Sequence, residues 1–310
     1  MNKKGFEFSF SWMFSIIVGS VIIFLAIYAA TNILKTSTIE EETKIASQFG
    51  SLLNPVETNL EDAKFSFVEF SEETRLYNDC EEAGNFGRQK ISTAIKSNSE
   101  RGWAERGVPI TLHNKYIFSE EAVDGKTMYL LSKPFKMPFK LADLIIIYSE
   151  NYCFVNSPLK IEEEVEDLEM DKIEIRNSVE SCERSSKKVC FNSDSSGCDI
   201  IVNTDYERVS KNDKTVYYVD SLIYGAIFSD PLIYECQVKR LIKRLSMLSQ
   251  LYRDKTDFLS SKGCSSNLGA DLTDFVTNLE DVESSSGLKA IETESKEIGG
   301  RNELLSCKLF

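Results

Sequence analysis

The 310-residue sequence contains a single histidine, His113. That excludes a metal centre built on several imidazoles and leaves one candidate base for a nucleophilic triad. No Gly-x-Ser-x-Gly elbow presents a serine to it. The flanking Asn114 and Lys115 place His113 in a polar surface loop. The chain has no Gly-x-x-x-x-Gly-Lys phosphate loop, no dinucleotide fingerprint and no Asn-x-Ser/Thr acceptor. None of its eight cysteines falls in a Cys-x-x-Cys pair, which argues against structural zinc, whose ligands come in close pairs. Carboxylates are so abundant that no catalytic pair stands out, and glycosidase geometry depends on separations in space. The sequence therefore yields no catalytic, cofactor-binding or metal-ligating residue and implies no cofactor.

Basic charge is also short. There are 36 Lys and Arg against 49 Asp and Glu, a net −13. Residues 1–36 carry +2, which leaves −15 on the rest. Such a surface repels nucleic acid and anionic lipid and suits a soluble exported domain.

One long stretch lacks charge altogether. Phe8 to Leu34 holds no formal charge and is closed off by Glu7 and Lys35. As a helix it reaches roughly 40 Å, against a hydrocarbon core of about 30 Å. Its apolar centre is Ile16-Ile17-Val18 followed by Val21 to Tyr28, with Trp12 and Tyr28 placed for the headgroup regions. A buried core helix of this length would show a polar face, and none is present. A cleaved signal has a shorter apolar region, and Ala29-Ala30-Thr31 is a weak cleavage site. The stretch is therefore read as a retained transmembrane helix, with the bilayer as its partner. Lys3 and Lys4 precede it, which sets the N-terminus inside and the large domain outside the cytoplasm. Ser11, Ser15 and Gly19 recur every four residues, a spacing that lets helices approach closely in lipid. They mark a candidate face for a partner helix or self-association, although small residues are common in membrane helices anyway.

Lys3-Lys4-Gly5-Phe6, then a glutamate and a long apolar helix, resembles the N-terminus of archaeal and bacterial type IV prepilins. The resemblance implies cleavage between Gly5 and Phe6 and packing of the helix in a filament core. In prepilins a glutamate stands fifth after the cut; here Glu7 is second and Phe10 fifth. The wider chain is similar to membrane-anchored archaeal surface proteins that open with Gly-Phe-Glu-Phe-Ser-Phe.

All eight cysteines lie beyond the anchor: Cys80, Cys153, Cys182, Cys190, Cys198, Cys236, Cys264 and Cys307. Their even number and outside placement favour disulfides over free buried thiols or metal. Eight cysteines allow 105 pairings. The eightfold spacing of Cys182, Cys190 and Cys198 suits bridges that tie a hairpin, while Cys236, Cys264 and Cys307 are placed to pin the C-terminal helices.

The pattern along the chain predicts an α+β protein. The expected parts are a short cytoplasmic N-terminus (1–7), a transmembrane helix (8–34), a helical stalk (35–55), a β-rich ectodomain (56–228) and a C-terminal helical region (229–310). The stalk, helical from Thr38 to Leu53 and ended by Asn54-Pro55, would lift the domain off the membrane. Lys64 to Tyr77 reads as a strand, Gln89 to Ile95 is ambiguous, and 97–114 is loop-rich, with Trp103 as a satellite core residue. Asn114 to Phe139 reads as a hairpin turning at Asp124-Gly125. The Pro134 to Phe139 stretch reads as a proline-bounded link whose phenylalanines fill the core, with a partner groove as the alternative. Leu141 to Val155 reads as a central strand buried on both faces. Pro158 to Met170 is an amphipathic helix with a solvated acidic face, and Ile173 to Tyr224 an antiparallel meander. The ectodomain sheet is thus expected to be mainly antiparallel. Pro231 to Gly263 is a long helix capped by Asp230, whose basic Lys239, Arg240, Lys243 and Arg244 would pair with acidic helices. Two further helices follow, giving a helical hairpin or three-helix bundle.

Composition and pattern point to a single-pass, membrane-anchored extracytoplasmic protein with a disulfide-braced ectodomain for binding or surface structure. The alternatives are a pilin-like subunit of a filament or secretion-type assembly and a membrane-tethered hydrolase.

Overall fold

A computed structural model describes residues 10–56, 62–97, 102–193, 196–264 and 266–310. Gly5 and Phe6, with the rest of the short N-terminal segment, lie outside the described residues, as does the side chain of Ser11.

The first element is one uninterrupted helix, α1 (Phe10–Val56, 47 residues), roughly 70 Å long at helical rise. Trp12–Thr31 has a mean hydropathy of 2.5 and buries nothing against the protein. By length and composition it can cross a membrane or act as a signal sequence. Further along, Ala46, Phe49 and Leu53 are spaced three and four apart and are fully buried. The expected spacer is therefore a structural layer: its apolar stripe packs on a sheet rather than holding the domain away from the anchor.

That sheet contains β1 (Lys64–Glu81), β2 (Arg88–Ile95), β3 (Ile110–Leu112), β4 (Tyr116–Phe118), β5 (Ala122–Lys136) and β6 (Lys140–Tyr148). Its order is β3-β2-β1-β5-β6-β4. All pairs are antiparallel except β4 with β6. The hairpin expected over Asn114 to Phe139 does not turn at Asp124-Gly125. Asp124 and Gly125 lie inside β5 opposite Arg75 and Thr74, beside an irregularity in the ladder. Arg75 donates to both Asp124 carboxylate oxygens at 2.6 Å, so this carboxylate serves a cross-strand pair instead of a turn. The true hairpin turns at Met137-Pro138, a cis peptide, and Phe135 and Phe139 are buried as expected.

β6 explains its own composition. Leu144, Ile146 and Tyr148 enter the main core, whereas Ile145 and Ile147 pack with Phe49 and Leu53 of α1. A strand covered on both faces has no polar side to show. The apolar run does not continue as one strand, however. It breaks at 149–151, and β7 (Tyr152–Val155) belongs to a second sheet.

The second sheet adds β8 (Ile173–Arg176), β9 (Lys187–Phe191), β10 (Ile200–Asn203), β11 (Arg208–Lys211) and β12 (Lys214–Tyr217), in the order β12-β11-β10-β9-β7-β8. The expected meander is wrong here. β8, β7, β9 and β10 are parallel neighbours, and only β10-β11-β12 is antiparallel. Both sheets are therefore mixed rather than mainly antiparallel. The acidic helix α2 (Leu159–Asp167) is the crossover that a parallel β7–β8 pair needs, and it buries Ile161 and Val165.

Four helices close the chain: α3 (Leu222–Phe228), α4 (Pro231–Ser261), α5 (Gly269–Glu280) and α6 (Leu288–Glu303). Asp230 caps α4 by accepting from the Leu232 N–H, with Pro231 at the first position. Gly299 and Gly300 lie within α6 without interrupting it. The main core runs through both sheets and α3–α6, so residues 56–228 and 229–310 share one interior.

The basic band of α4 meets β-sheet turns, not acidic helices. Arg240 is 1% exposed. It donates to the carbonyls of Phe86 and Lys115, both at 3.0 Å, and to Gln237 Oε1 at 2.6 Å, and it lies over the Tyr116 ring. Burial pulls its pKa down. Lys239 pairs with Glu82 at 3.2 Å. Carbonyls thus hold the buried guanidinium where the sequence pattern leads one to expect carboxylates.

Candidate binding groove

All eight cysteines are paired. Cys80–Cys236 ties the end of β1 to α4, with 6.1 Å between Cα atoms. Cys153–Cys182 ties β7 to the loop after β8, at 5.8 Å. Cys190–Cys198 joins β9 to the approach to β10, at 5.9 Å. Cys264–Cys307 ties the end of α4 to the C-terminal segment, at 6.0 Å. The Cys190–Cys198 bridge spans neighbouring parallel strands, not the expected hairpin. Cys153, Cys182 and Glu174 place their ligand atoms within 4.8 Å of one another. The two sulfurs bond each other, however, and Glu174 pairs with Arg176 at 2.9 Å and accepts from the Glu183 N–H. That trio is a braced loop. Ser15 and Gly19 lie on the apolar Trp12–Thr31 segment of α1, and His113 is exposed.

Besides a concavity of 680 Å³ between the Glu82–Asn85 turn, α4 and the end of α5, two others are candidate functional sites. One, of 340 Å³, opens between the ends of β5 and β6 and the start of β9. Its charges answer each other: Lys187 pairs with Glu150 and lies 3.7 Å from Glu120. Glu120 also receives Lys211 at 3.4 Å. Lys211 is buried, donates to the Ile227 carbonyl, and has its pKa lowered by that burial. This is an internal ion-pair network holding the two sheets together.

The other is a groove of two adjoining cavities, of 250 and 480 Å³, that share Glu207 and Asp220. The first lies between α2 and the β10–β11 turn; the second lies between the Pro138 turn and α6. At its inner end Lys133, from β5, pairs with Glu164 of α2. Tyr224 of α3 donates its hydroxyl to the other Glu164 oxygen at 2.6 Å, and the Lys133 ammonium sits 4.5 Å from the Tyr224 ring centre. Three elements thus converge on one carboxylate. Burial, then the Glu164 charge, pushes the Tyr224 phenol far above its ordinary value, so it stays protonated and donates. Burial also pushes Tyr218, on the same wall, up to about 12.

The outer rim is built by a clamped turn. Asn192 donates to Thr204 Oγ1 at 2.7 Å and accepts from the Thr204 N–H at 2.8 Å. Asn203 accepts from the Tyr206 N–H. Glu207 and Asp220 both have positive φ, 49° and 45°, a conformation that costs free energy and persists only where surrounding structure fixes it. Tyr206, at the tip of this turn, is 69% exposed and lies outside the lining of both cavities.

Chemically the groove offers hydrogen-bond acceptors and donors on an apolar floor. Both Glu164 oxygens are engaged by neighbours, so that carboxylate is not free to work as a base; Asp220 lines both cavities. The acidic face of α2 signalled Glu164 in the sequence as solvated. Lys133, Tyr224 and Thr204 carried no sequence signal at all, because their meeting depends on the parallel crossover. No family model, curated protein or solved structure matches this chain.

Proposed function

We propose that the chain is a single-pass membrane protein whose disulfide-braced domain stands outside the cytoplasm and presents the groove as a binding site. The carrying observation is α1. Its first half is apolar and buries nothing against the protein, while its second half is built into the sheet. Eight paired cysteines beyond it fit an oxidising compartment. Lys3 and Lys4 supply the orientation, the bilayer is the first partner, and the −15 charge disfavours nucleic acid. Alkylation of intact cells without reductant should label none of the eight cysteines, and external protease should cleave the domain. Eight labelled thiols on a protected domain would refute the placement.

A pilin-like subunit is the second reading. Its support is the exposed half of α1, which could be covered by neighbouring α1 helices as well as by lipid, and the resemblance of Lys3-Lys4-Gly5-Phe6 to prepilin openings and to archaeal surface proteins. A mature chain starting at Phe6 by mass would favour it, and an intact Met1 would end it. A tethered hydrolase has less support, since the groove's inner carboxylate is fully engaged.

A further inference from the structure

We infer that the chain pairs with a second copy of itself through the outer face of α4, as an antiparallel helix pair about a twofold axis at Gln250. This face lines neither cavity of the groove.

α4 turns Leu241 and Leu245 into the core. Met247, Leu251 and Phe258, spaced four and seven apart, share another face of the helix. Leu251 is 62% and Phe258 61% exposed. The Lys262 ammonium lies 5.7 Å from the Phe258 ring centre and leaves most of that side chain open. An apolar stripe turned away from the core and bordered by charges marks an association surface.

Shape says what covers it. The 680 Å³ concavity lies at the N-terminal end of the stripe, where Ile242 and Met247 of α4 meet Leu279 and Val282 at the end of α5. Phe258 projects at the other end, roughly 16 Å along the helix from Met247. One helix therefore carries both a hole and a knob. An antiparallel pair centred on Gln250 sets Phe258 of each copy across from Ile242 of the other, so each ring enters the other's concavity. Such an interface is isologous, with every contact made twice.

Charge sets the direction. A twofold axis perpendicular to the helices brings the same flank of both copies together. The flank beside the concavity carries Lys243, Asp254 and Asp257. With the axis at Gln250, Lys243 stands across from Asp257, and the partner's Asp254 is one turn away. Lys243 bonds the Glu82 carbonyl at 2.6 Å, which leaves its charge uncompensated there, and Asp257 is exposed. A parallel pair would oppose lysine to lysine and aspartate to aspartate, which charge forbids. On the other flank Arg244 donates to Asn114 at 3.2 Å and Lys255 to the Leu309 carbonyl at 2.6 Å, so both are held by their own chain. Copies of a chain with net charge −13 repel at long range; the change of sign along α4 is what lets this face meet its own kind. Because hole, knob and both charges lie on one helix, the match selects a second copy over an unrelated partner.

The test uses the full chain purified in detergent, with mass read by sedimentation at matched detergent density. A dimer should form. Zero-length carbodiimide coupling of mixed light and heavy-isotope chains should join Lys243 of one copy to Asp257 of the other. Phe258→Asp should weaken the dimer more than tenfold, as loss of a central anchor does. Lys243→Asp and Asp257→Lys should each weaken it about tenfold, and the two together should restore it, the signature of direct pairing. All these positions are on the surface, so the variants should melt with the parent. A chain that stays monomeric would leave the stripe to lipid or a different protein and overturn the proposal. A dimer coupled elsewhere, or indifferent to Phe258→Asp and to charge exchange, would overturn it too, by assigning association to the apolar half of α1 or to another face.

Discussion

The outer face of the first sheet lies under residues 39–53 of α1, whereas that of the second lies under two disulfides. Phe49 and Leu53 cover Ile145 and Ile147. On the second sheet Cys153, Val155 and Cys190 are covered by Val179, Cys182 and Cys198. Both solutions let a sheet be apolar on two faces. They depend on different things. The first sheet needs the helix that also carries the apolar Trp12–Thr31 segment, so its integrity is linked to that helix. The second needs an oxidising environment, so its integrity is linked to compartment.

The largest expected effect breaks the first side of this contrast. Phe49 is 1% exposed and stacks on Phe70 with ring centres 6.0 Å apart. Phe49→Ala should cost about 3–5 kcal/mol. Hydrogen exchange should show β5 and β6 losing protection first. An unchanged melting midpoint would mean that the helix merely rests on the sheet.

Breaking the second side comes next. Removing Cys153–Cys182 together (both to Ser) should cost about 3.6 kcal/mol and removing Cys190–Cys198 about 2.5, from loops closed by 29 and 8 residues under the chain-entropy relation. Amides of β7 and β9 should exchange faster in both variants while β5 and β6 keep their protection. Equal loss in the two sheets would show that they unfold as one unit and that the contrast has no thermodynamic meaning.

The same contrast explains what the sequence could tell. Helices α1 and α4–α6 were legible because long apolar periodicity, Asp230-Pro231 and the flanking turns are local signals. Leu144 to Tyr148 was legible as a strand buried on both faces. What covered the second face was not, because Ala46, Phe49 and Leu53 look the same on a free spacer as on a docked one. Pairing direction in 173–217 was illegible for a related reason. Short β-like runs between polar turns suit a meander, and only the spatial return through α2 makes the neighbours parallel. That the cysteines pair as disulfides followed from their number and placement, but Cys80–Cys236 joins segments 156 residues apart, which no spacing rule finds. The groove was hidden for the same cause, since Lys133, Glu164 and Tyr224 come from three separate elements.

A smaller effect tests how tightly the helix is docked. Glu42 is fully buried and accepts from the Ile95 N–H at 2.6 Å and Thr93 Oγ1 at 3.1 Å. Burial raises its pKa above the ordinary 4.5, against those hydrogen bonds. A carboxyl raised in the folded state favours folding below its unfolded value, and that contribution fades as pH rises through the folded value. Docking of α1 should therefore be tightest in mild acid. Glu42→Gln keeps the shape and removes the charge, so the difference between the two melting curves should widen as pH rises from the ordinary 4.5 and level off above the raised folded value, with the Gln variant the more stable on the plateau. Parallel curves would show that the carboxylate is not desolvated.

The smallest effects compare two glycines at the same interface. A Cβ on Gly107 would stand 2.7 Å from Glu42 Cβ and 3.0 Å from its backbone carbon, atoms that cannot move without the helix. Gly107→Ala should cost about 1–3 kcal/mol through overpacking. A Cβ on Gly50 would stand 2.8 Å from Leu112 Cδ2 and 3.2 Å from Ile110 Cδ1, the free ends of two side chains. There the crowding is met by rotamer shifts, and alanine gains about 1 kcal/mol over glycine inside a helix. The two terms nearly cancel, so Gly50→Ala should melt within about 1 kcal/mol of the parent. A loss as large as that of Gly107→Ala would mean that β3 grips α1 as rigidly as the Glu42 contact does. The helix would then be locked along the whole docked half rather than at one end of it.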